Sequence, residues 1–410
     1  MRVLFVCHRF PYPPKRGGKI RPFNIIRHLS IKHEVTVASI VRSEEEASEG
    51  RDLARHCAHY EMARVNEPVQ ALRMAALLPT TSPSSLGYFY SGRLARRINE
   101  LLRTGRYDLV FVHCSSVAHY VENAKACLRI LDYGDMDSQK WREYSRYKPF
   151  PLSLGYGIEA VKLEREEKRL ATKFDMCTAT TRGECETLRS YGTGAATDWF
   201  PNGVDSDYFK PSEAPYDPDT IAFVGRMDYY PNQECMSSFC DRVLPRLQAQ
   251  RPSVKLDIVG ADPPPSVRRL AKLKGVTVTG SVPDVRPFLQ RAALMVAPLN
   301  IARGTQNKIL EAMAAGVPVV SSALAAKGVD ARSPDHFLVA SAEDQYVTAI
   351  LGVLGNPQER QRLSHAGRDR ILSHHAWEKS MQRLDNIIGS CLEAKRERPR
   401  ELRETVKESQ

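Results

Sequence analysis

Short, wholly apolar runs alternate with stretches whose apolar residues recur every three or four positions. Residues 3–7, VLFVC, form the first such run, too short for a helix and bounded by polar residues, and it predicts a buried strand. In 20–30, Phe23, Ile26 and Leu29 fall three apart, the spacing of one helix face. A second strand is expected at 34–40, followed by a helix-rich region to about Arg103 and strands at 108–113, 129–132 and 176–180. Strands apolar on both faces, separated by amphipathic helices, predict a doubly wound α/β sheet of parallel strands.

Near Phe200 the texture changes. The stretch PNGVDSDYFKPSEAPYDPD is rich in Pro, Asp and Ser and marks a linker. A second series follows, with strands expected at 221–224, 255–259, 276–279, 294–297, 317–320 and 337–339. The chain therefore divides into a first domain over 1–200 and a second over 215–374, both of one class. A helical segment bearing Trp377, Met381, Leu384 and Ile388 comes next. Residues 393–410 are charged, nearly free of apolar side chains, and expected to be a disordered tail.

At 410 residues with 42% apolar and 26% charged composition, both domains have the means to bury a core. The net charge of +11 points to an anionic partner: a phosphorylated substrate or an acidic membrane surface. Nucleic acid is not expected, because no zinc-finger spacing or aromatic RNA-reading pattern is present. Nine scattered cysteines, none in a CxxC, read as reduced core residues; Cys7, Cys114 and Cys177 lie in apolar runs. The opening MRVLFVCHRF is interrupted too early to be a signal peptide, and no run reaches the ~18 apolar residues of a membrane span. A cytoplasmic protein is expected, with peripheral contact at the inner face of an anionic membrane open.

The densest chemistry lies in VAPLNIARGTQNKILEAMAAGVPVVSS, residues 296–322. It reads as strand, loop, helix and strand, so the two strands should be parallel, and ligands of such sheets bind beyond the strands' carboxyl ends. There the loop Arg303, Gly304, Thr305, Gln306, Asn307 meets a helix N-terminus suited to an anion. Lys308 and Glu311 share the following helix face: one cation for phosphates, one carboxylate for hydroxyls, or simply a solvated helix pair. Arg226 ends another predicted strand, where a guanidinium can grip a diphosphate through two hydrogen bonds. In the first domain, Gly17 and Gly18 precede a helix and allow close backbone approach to a phosphate, with Lys15, Arg16, Lys19 and Arg21 around them. The pattern is not GxGxxG, which argues against a nicotinamide cofactor.

These residues resemble the family 4, or group 1, glycosyltransferases. LEAMAAGVPVV (310–320) resembles the family's helix signature, PNGVD (201–205) its interdomain segment, FVGRM (223–227) its phosphate loop and GSVPD (280–284) its base-contacting turn; Trp377 and Glu378 are similar to the start of its final crossover helix. The resemblance implies a GT-B fold, meaning two facing Rossmann-like domains with an interdomain cleft. A crossover helix at about 375–392 would complete the first domain. It also implies a nucleotide-sugar donor, retention at the anomeric carbon and no cofactor or metal. By residue, it puts Glu311 on the donor ribose, Arg226 and Lys308 on the diphosphate, Val282 near the base, and Gly17 with Gly18 over the donor. It places His113 beside the donor sugar, where a plain hydrogen-bonded histidine at a strand end is the other reading. HRFPYPPKRGGKIR, LDYGDMDSQKW and RGTQNKILEAMA further resemble the subgroup associated with exosortase and exopolysaccharide loci.

Two positions depart from the family. Arg303 stands where a sugar-binding glutamate is usual, and no lysine follows Arg226, a charge that Arg303 would restore. Asp135 and Asp137 spell a DxD, the metal motif of a different fold, and are read here as structural or acceptor-side. The acceptor is expected to be a glycan or a polyprenyl-diphosphate-linked glycan. Segment 79–103, with Leu86, Tyr88, Phe89, Tyr90, Arg93, Arg96 and Arg97, offers either an interfacial surface for it or an ordinary packed helix. An epimerase or phosphorylase on the same fold, and a non-catalytic nucleotide-sugar binder, are the alternative functions.

Overall fold

The computed structural model describes the backbone of residues 1–14 and 17–408 and the side chains as far as 397. Two compact units result: Met1–Phe200 with Met381–Gln410, and Pro201–Ser380. The Pro-rich stretch after Phe200 packs with the second unit rather than spanning free, and Val204 pairs with Ala376 in an isolated bridge.

The first unit holds a seven-stranded sheet of β1 (Arg2–Cys7), β2 (Glu34–Val41), β3 (His59–Arg64), β4 (Leu109–His113), β5 (Leu128–Gly134), β6 (Met176–Ala179) and β7 (Thr197–Trp199). Their order is β3-β2-β1-β4-β5-β6-β7, and every pairing is parallel. β1 and β4 are buried almost throughout, as continuous apolar runs must be when helices cover both faces. The strand order reverses between β1 and β4, so their carboxyl ends open the crevice where such sheets bind ligands.

The second unit repeats the class with six parallel strands: β8 (Asp217–Val224), β9 (Lys255–Val259), β10 (Val276–Gly280), β11 (Ala292–Ala297), β12 (Val319–Ser322) and β13 (Leu338–Ala340). Their order is β10-β9-β8-β11-β12-β13, with the reversal between β8 and β11. All six were expected from apolar pattern. Two strands of the first unit were not: β3 and β7 lie at the two sheet edges and are partly exposed.

The last helix runs from Trp377 to Glu408 and so continues through most of the stretch expected to be disordered. Its charged residues are largely Glu, Lys and Arg, whose straight side chains favour helix even where nothing apolar is buried. Among the described residues no helix is long and apolar enough to cross a membrane. All nine cysteines are free thiols, and eight are buried.

Candidate functional site

In the second unit the strand reversal sets the loop after β8, Gly225 to Met227, beside the loop after β11. The helix Asn307–Ala314 starts from that second loop and carries Lys308 and Glu311. Lys308 Nζ donates to Asn232 Oδ1 at 2.6 Å and lies 4.5 Å from the centre of the Phe223 ring. The amide of Asn232, itself buried, donates to the Arg226 carbonyl at 2.7 Å. One buried asparagine therefore ties the backbone of the loop after β8 to the lysine 76 positions further on. Gly225 makes room for this: a Cβ there would stand 2.8 Å from Asn232 Nδ2 and 3.2 Å from Lys308 Nζ.

Burial lowers the Lys308 pKa to about 8, against the smaller opposing influence of Cys235 and Glu311. Burial likewise raises Glu311 to about 7, only partly countered by Lys308. Neither side chain has an ion-pair partner within contact distance among the described residues. Burial thus works against the charge on both side chains, an arrangement that a phosphate on the lysine and hydroxyls on the carboxylate would relieve.

The loop between β11 and the helix is shaped by its backbone. Gly304 has φ +59°, and its carbonyl lies so near Gly328 that a Cβ on that residue would fall 1.9 Å from it. The Gln306 side chain donates to the Arg303 carbonyl at 2.9 Å and closes the turn. Thr305 Oγ1 is buried with no hydrogen-bond partner. No helical carbonyl serves the first-turn amides of Asn307 and Lys308, so loop and helix end present donors together.

Arg226 is placed differently from expectation. Its guanidinium lies on Asp228, with bonds of 3.1 and 2.9 Å, and on Asp262. Its backbone belongs to the Asn232–Lys308 arrangement, but its side chain must leave two carboxylates before it can hold a phosphate. Asp262 also lines an open cavity of about 360 Å³ beyond β9 and β10, with Arg268, Thr279, Gly280 and Ser281. The turn expected to contact a base thus borders a real cavity. It is braced by Asp284, which binds Arg286 at 2.7 Å, while Arg286 covers the Tyr208 ring at 3.8 Å. Val282 packs half-buried against the core of this unit. PNGVD and Trp377 account for each other: a Cβ on Gly203 would lie 2.5 Å from the indole, and Asn202 reaches Asn307 at 3.4 Å.

In the first unit, His113 ends β4 opposite Cys7 of β1 and Asp132 of β5. His113 Nδ1 lies 2.8 Å from Asp132 Oδ2. Arg21 grips the same fully buried carboxylate at 2.8 and 2.9 Å, and Thr178 adds a bond at 2.9 Å. The His8 ring centre is 5.7 Å from that of His113; burial, then the neighbouring His113, hold His8 well below its ordinary pKa. His113 is therefore a hydrogen-bonded histidine at a strand end, and that end lies at the strand reversal. Sequence reasoning missed Asp132 and His8, although each lies at a strand's carboxyl end.

The basic cluster around Gly17 and Gly18 is corrected. Arg21 is spent on Asp132, and Lys19 is ion-paired with Glu46 at 2.7 Å. Lys15 and Arg16 lie outside the described residues. Gly17 has nothing within 4 Å of where a Cβ would stand, and the nearest atom to one on Gly18 is 3.7 Å away, so packing demands neither glycine. Asp135 accepts from Thr180 at 2.9 Å, and Asp137 opens the helix Asp137–Tyr147. In segment 79–103, Arg42 covers the Tyr88 ring at 4.0 Å and Arg97 is paired with Glu61 and Glu100, so packing claims much of that surface.

Comparison with known proteins gives a family resemblance and a fold. Residues 218–356 match the family model of glycosyl transferases group 1. A GDP-mannose-dependent monoacylated α-(1-6)-phosphatidylinositol monomannoside mannosyltransferase of Corynebacterium glutamicum is 23% identical over 245 residues, covering 54% of this chain and 64% of that protein. A GDP-mannose-dependent α-(1-6)-phosphatidylinositol monomannoside mannosyltransferase of Mycolicibacterium smegmatis is 27% identical over 255 residues, covering 56% of this chain and 65% of that protein. The chain thus spans less than two thirds of the curated relatives it matches. Among solved structures, sucrose-phosphate synthase of Thermosynechococcus elongatus superposes with a TM-score of 0.70 at 16% identity, covering 96% of this chain and 100% of that one. Anabaena Alr3699/HepE in complex with UDP gives 0.67 at 15%, covering 95% and 100%. The fold is GT-B, and the segment that carries Lys308 and Glu311 matches the family model of the group 1 glycosyl transferases.

Proposed function

We propose that this protein is a retaining glycosyltransferase that moves a hexose from a nucleoside-diphosphate sugar to a glycan or lipid-linked acceptor. The setting we propose is bacterial exopolysaccharide or cell-surface glycan synthesis, with no metal cofactor. The observation that carries the reading is Lys308, held by Asn232 at the strand reversal beside a helix N-terminus, with the Glu311 carboxylate three residues away. As the bond from the anomeric carbon to the phosphate oxygen breaks, the sugar becomes oxocarbenium-like and the diphosphate gains charge. Lys308 and the amides of the loop meet that charge, and Arg226 joins them once it turns from Asp228 and Asp262. Glu311 would hold the ribose hydroxyls.

The relatives' names supply the bases and sugars to try first. Both curated relatives are named for GDP-mannose, while the HepE structures hold UDP or UDP-glucose. A thermal-shift and calorimetric screen of UDP, GDP, UDP-glucose and GDP-mannose therefore tests the reading first. Stabilisation by one nucleotide series is expected, and transfer of its sugar to a component of a bacterial membrane extract should follow. If none of the four raised the melting temperature at millimolar concentration, the donor site would be refuted. Binding without transfer would leave only the site.

A further inference from the structure

Ten of the seventeen large apolar side chains exposed among the described residues fall in two segments of the first unit, around 69–78 and 147–161. The helix Glu67–Leu77 buries only Gln70 and turns Val69 and Leu72 outward, Leu72 at 71% exposure. On the helix Leu152–Ala171, Leu154, Ile158 and Val161 form an exposed stripe at spacings of four and three. Phe150, in the turn before that helix, is 80% exposed.

Two buried charged groups join the segments into one face. Lys162, beside that stripe, donates to the carbonyls of Leu77 and Leu78 at 3.1 and 2.8 Å. Glu159 accepts from the amides of Ser84 and Ser85 at 2.9 Å. The turn after the first helix is thereby pinned to the second helix while the apolar side chains of both point to solvent. The charged side chains of 67–83 are Arg73 and Glu67, the latter 3.8 Å from Arg42; those of 144–161 are Arg146, Lys148 and the buried Glu159 that accepts from Ser84 and Ser85.

We propose that this face seats on an anionic lipid surface, its apolar side chains entering the acyl boundary and its cations meeting lipid phosphates. The charge complementarity selects that occupant: on this large apolar face Glu67 is turned to Arg42 and Glu159 to backbone amides, while Arg73, Arg146 and Lys148 supply cations, which suits a negative leaflet. It is not segment 79–103, where the sequence suggested an interfacial surface. The proposal bears on where a lipid-linked acceptor would be met, but its test uses no nucleotide or sugar, so it stands or fails apart from the transfer reading.

The full chain is to be floated with vesicles of phosphatidylcholine alone and of an equal mixture with phosphatidylglycerol. Binding to the mixture should be at least about tenfold tighter and should weaken as salt rises. Leu72→Ser, Phe150→Ser and Leu152→Ser together should abolish it, and Arg146→Glu with Lys148→Glu should reduce it about tenfold or more. Melting temperature should stay unchanged, because these side chains are largely solvent-facing. Absence of binding to anionic vesicles, equal binding to both vesicle types, or undiminished binding by either variant would overturn the proposal. So would a dimer in solution that the serine variant dissolves, which would make the face a self-association surface.

Discussion

Lys308 and Glu311, in the proposed donor loop, are shifted in opposite directions, and the pH dependence this predicts has a definite sign. Glu311, raised to about 7, must lose its proton to accept from ribose hydroxyls; Lys308, lowered to about 8, must keep its proton to meet phosphate. Nucleoside-diphosphate affinity should therefore weaken below pH 7 and above pH 8, which calorimetry across that range would show. Glu311→Gln should flatten the acid limb and Lys308→Arg the alkaline one; identical profiles in both variants would refute the assignment. Lys308→Ala should cost about 10²-fold in turnover, the usual toll of one preorganised donor, far more than the lost bond to Asn232 costs in melting temperature. The two residues were legible because three-residue spacing puts them on one helix face. Asn232 was not: its position between Arg226 and Lys308 depends on a helix after β8 meeting a helix after β11. Asn232→Ala should lower nucleotide affinity and destabilise the second unit by about 1–3 kcal/mol, since Lys308 and the Arg226 carbonyl both lose a buried partner.

At the scale of elements, glycines separate packing from function. Gly225→Ala drives a methyl into Asn232 and Lys308 and should lower both stability, by about 1–3 kcal/mol, and nucleotide affinity. Gly17→Ala meets nothing within 4 Å at the start of a helix and should leave the melting temperature unchanged or slightly raised. If Gly17 gives a phosphate close approach, the same change lowers kcat/KM; thermal melts beside kinetics separate the two effects. Interior strands were legible because burial on both faces demands unbroken apolar runs. β3 and β7 escaped because edge strands need no such run: HYEMAR mixes charges with apolar residues, and TDW is three residues long. The helix beyond residue 392 escaped for the opposite reason, since low apolar content argues against packing but not against helix.

At the scale of the whole molecule, the first unit is organised around a buried charge. Burial would raise the Asp132 pKa, yet Arg21, with further bonds from Arg21 and His113, holds it well below the usual carboxylate range. A lowered carboxylate contributes stability that is complete above its unfolded pKa, about 3.9, and is lost as pH falls toward the folded value. Asp132→Ala should cost about 3–5 kcal/mol at neutral pH, because Arg21 is left buried and uncompensated, and should reduce the acid dependence of urea unfolding. Nothing in the sequence pairs Arg21 with Asp132, which are 111 residues apart. The sequence by itself determined two parallel α/β units, their central strands, and the placing of Lys308 and Glu311 on one helix after a loop, because strand burial and helix periodicity are local. Only the tertiary structure decided that Arg226 lies on two carboxylates, that Asn232 carries Lys308, and that Lys19 and Arg21 are neutralised from within. It also brought two distant apolar segments onto one face. Each of these depends on which strand ends and helices meet, and partners far apart in the chain leave no periodic trace in it.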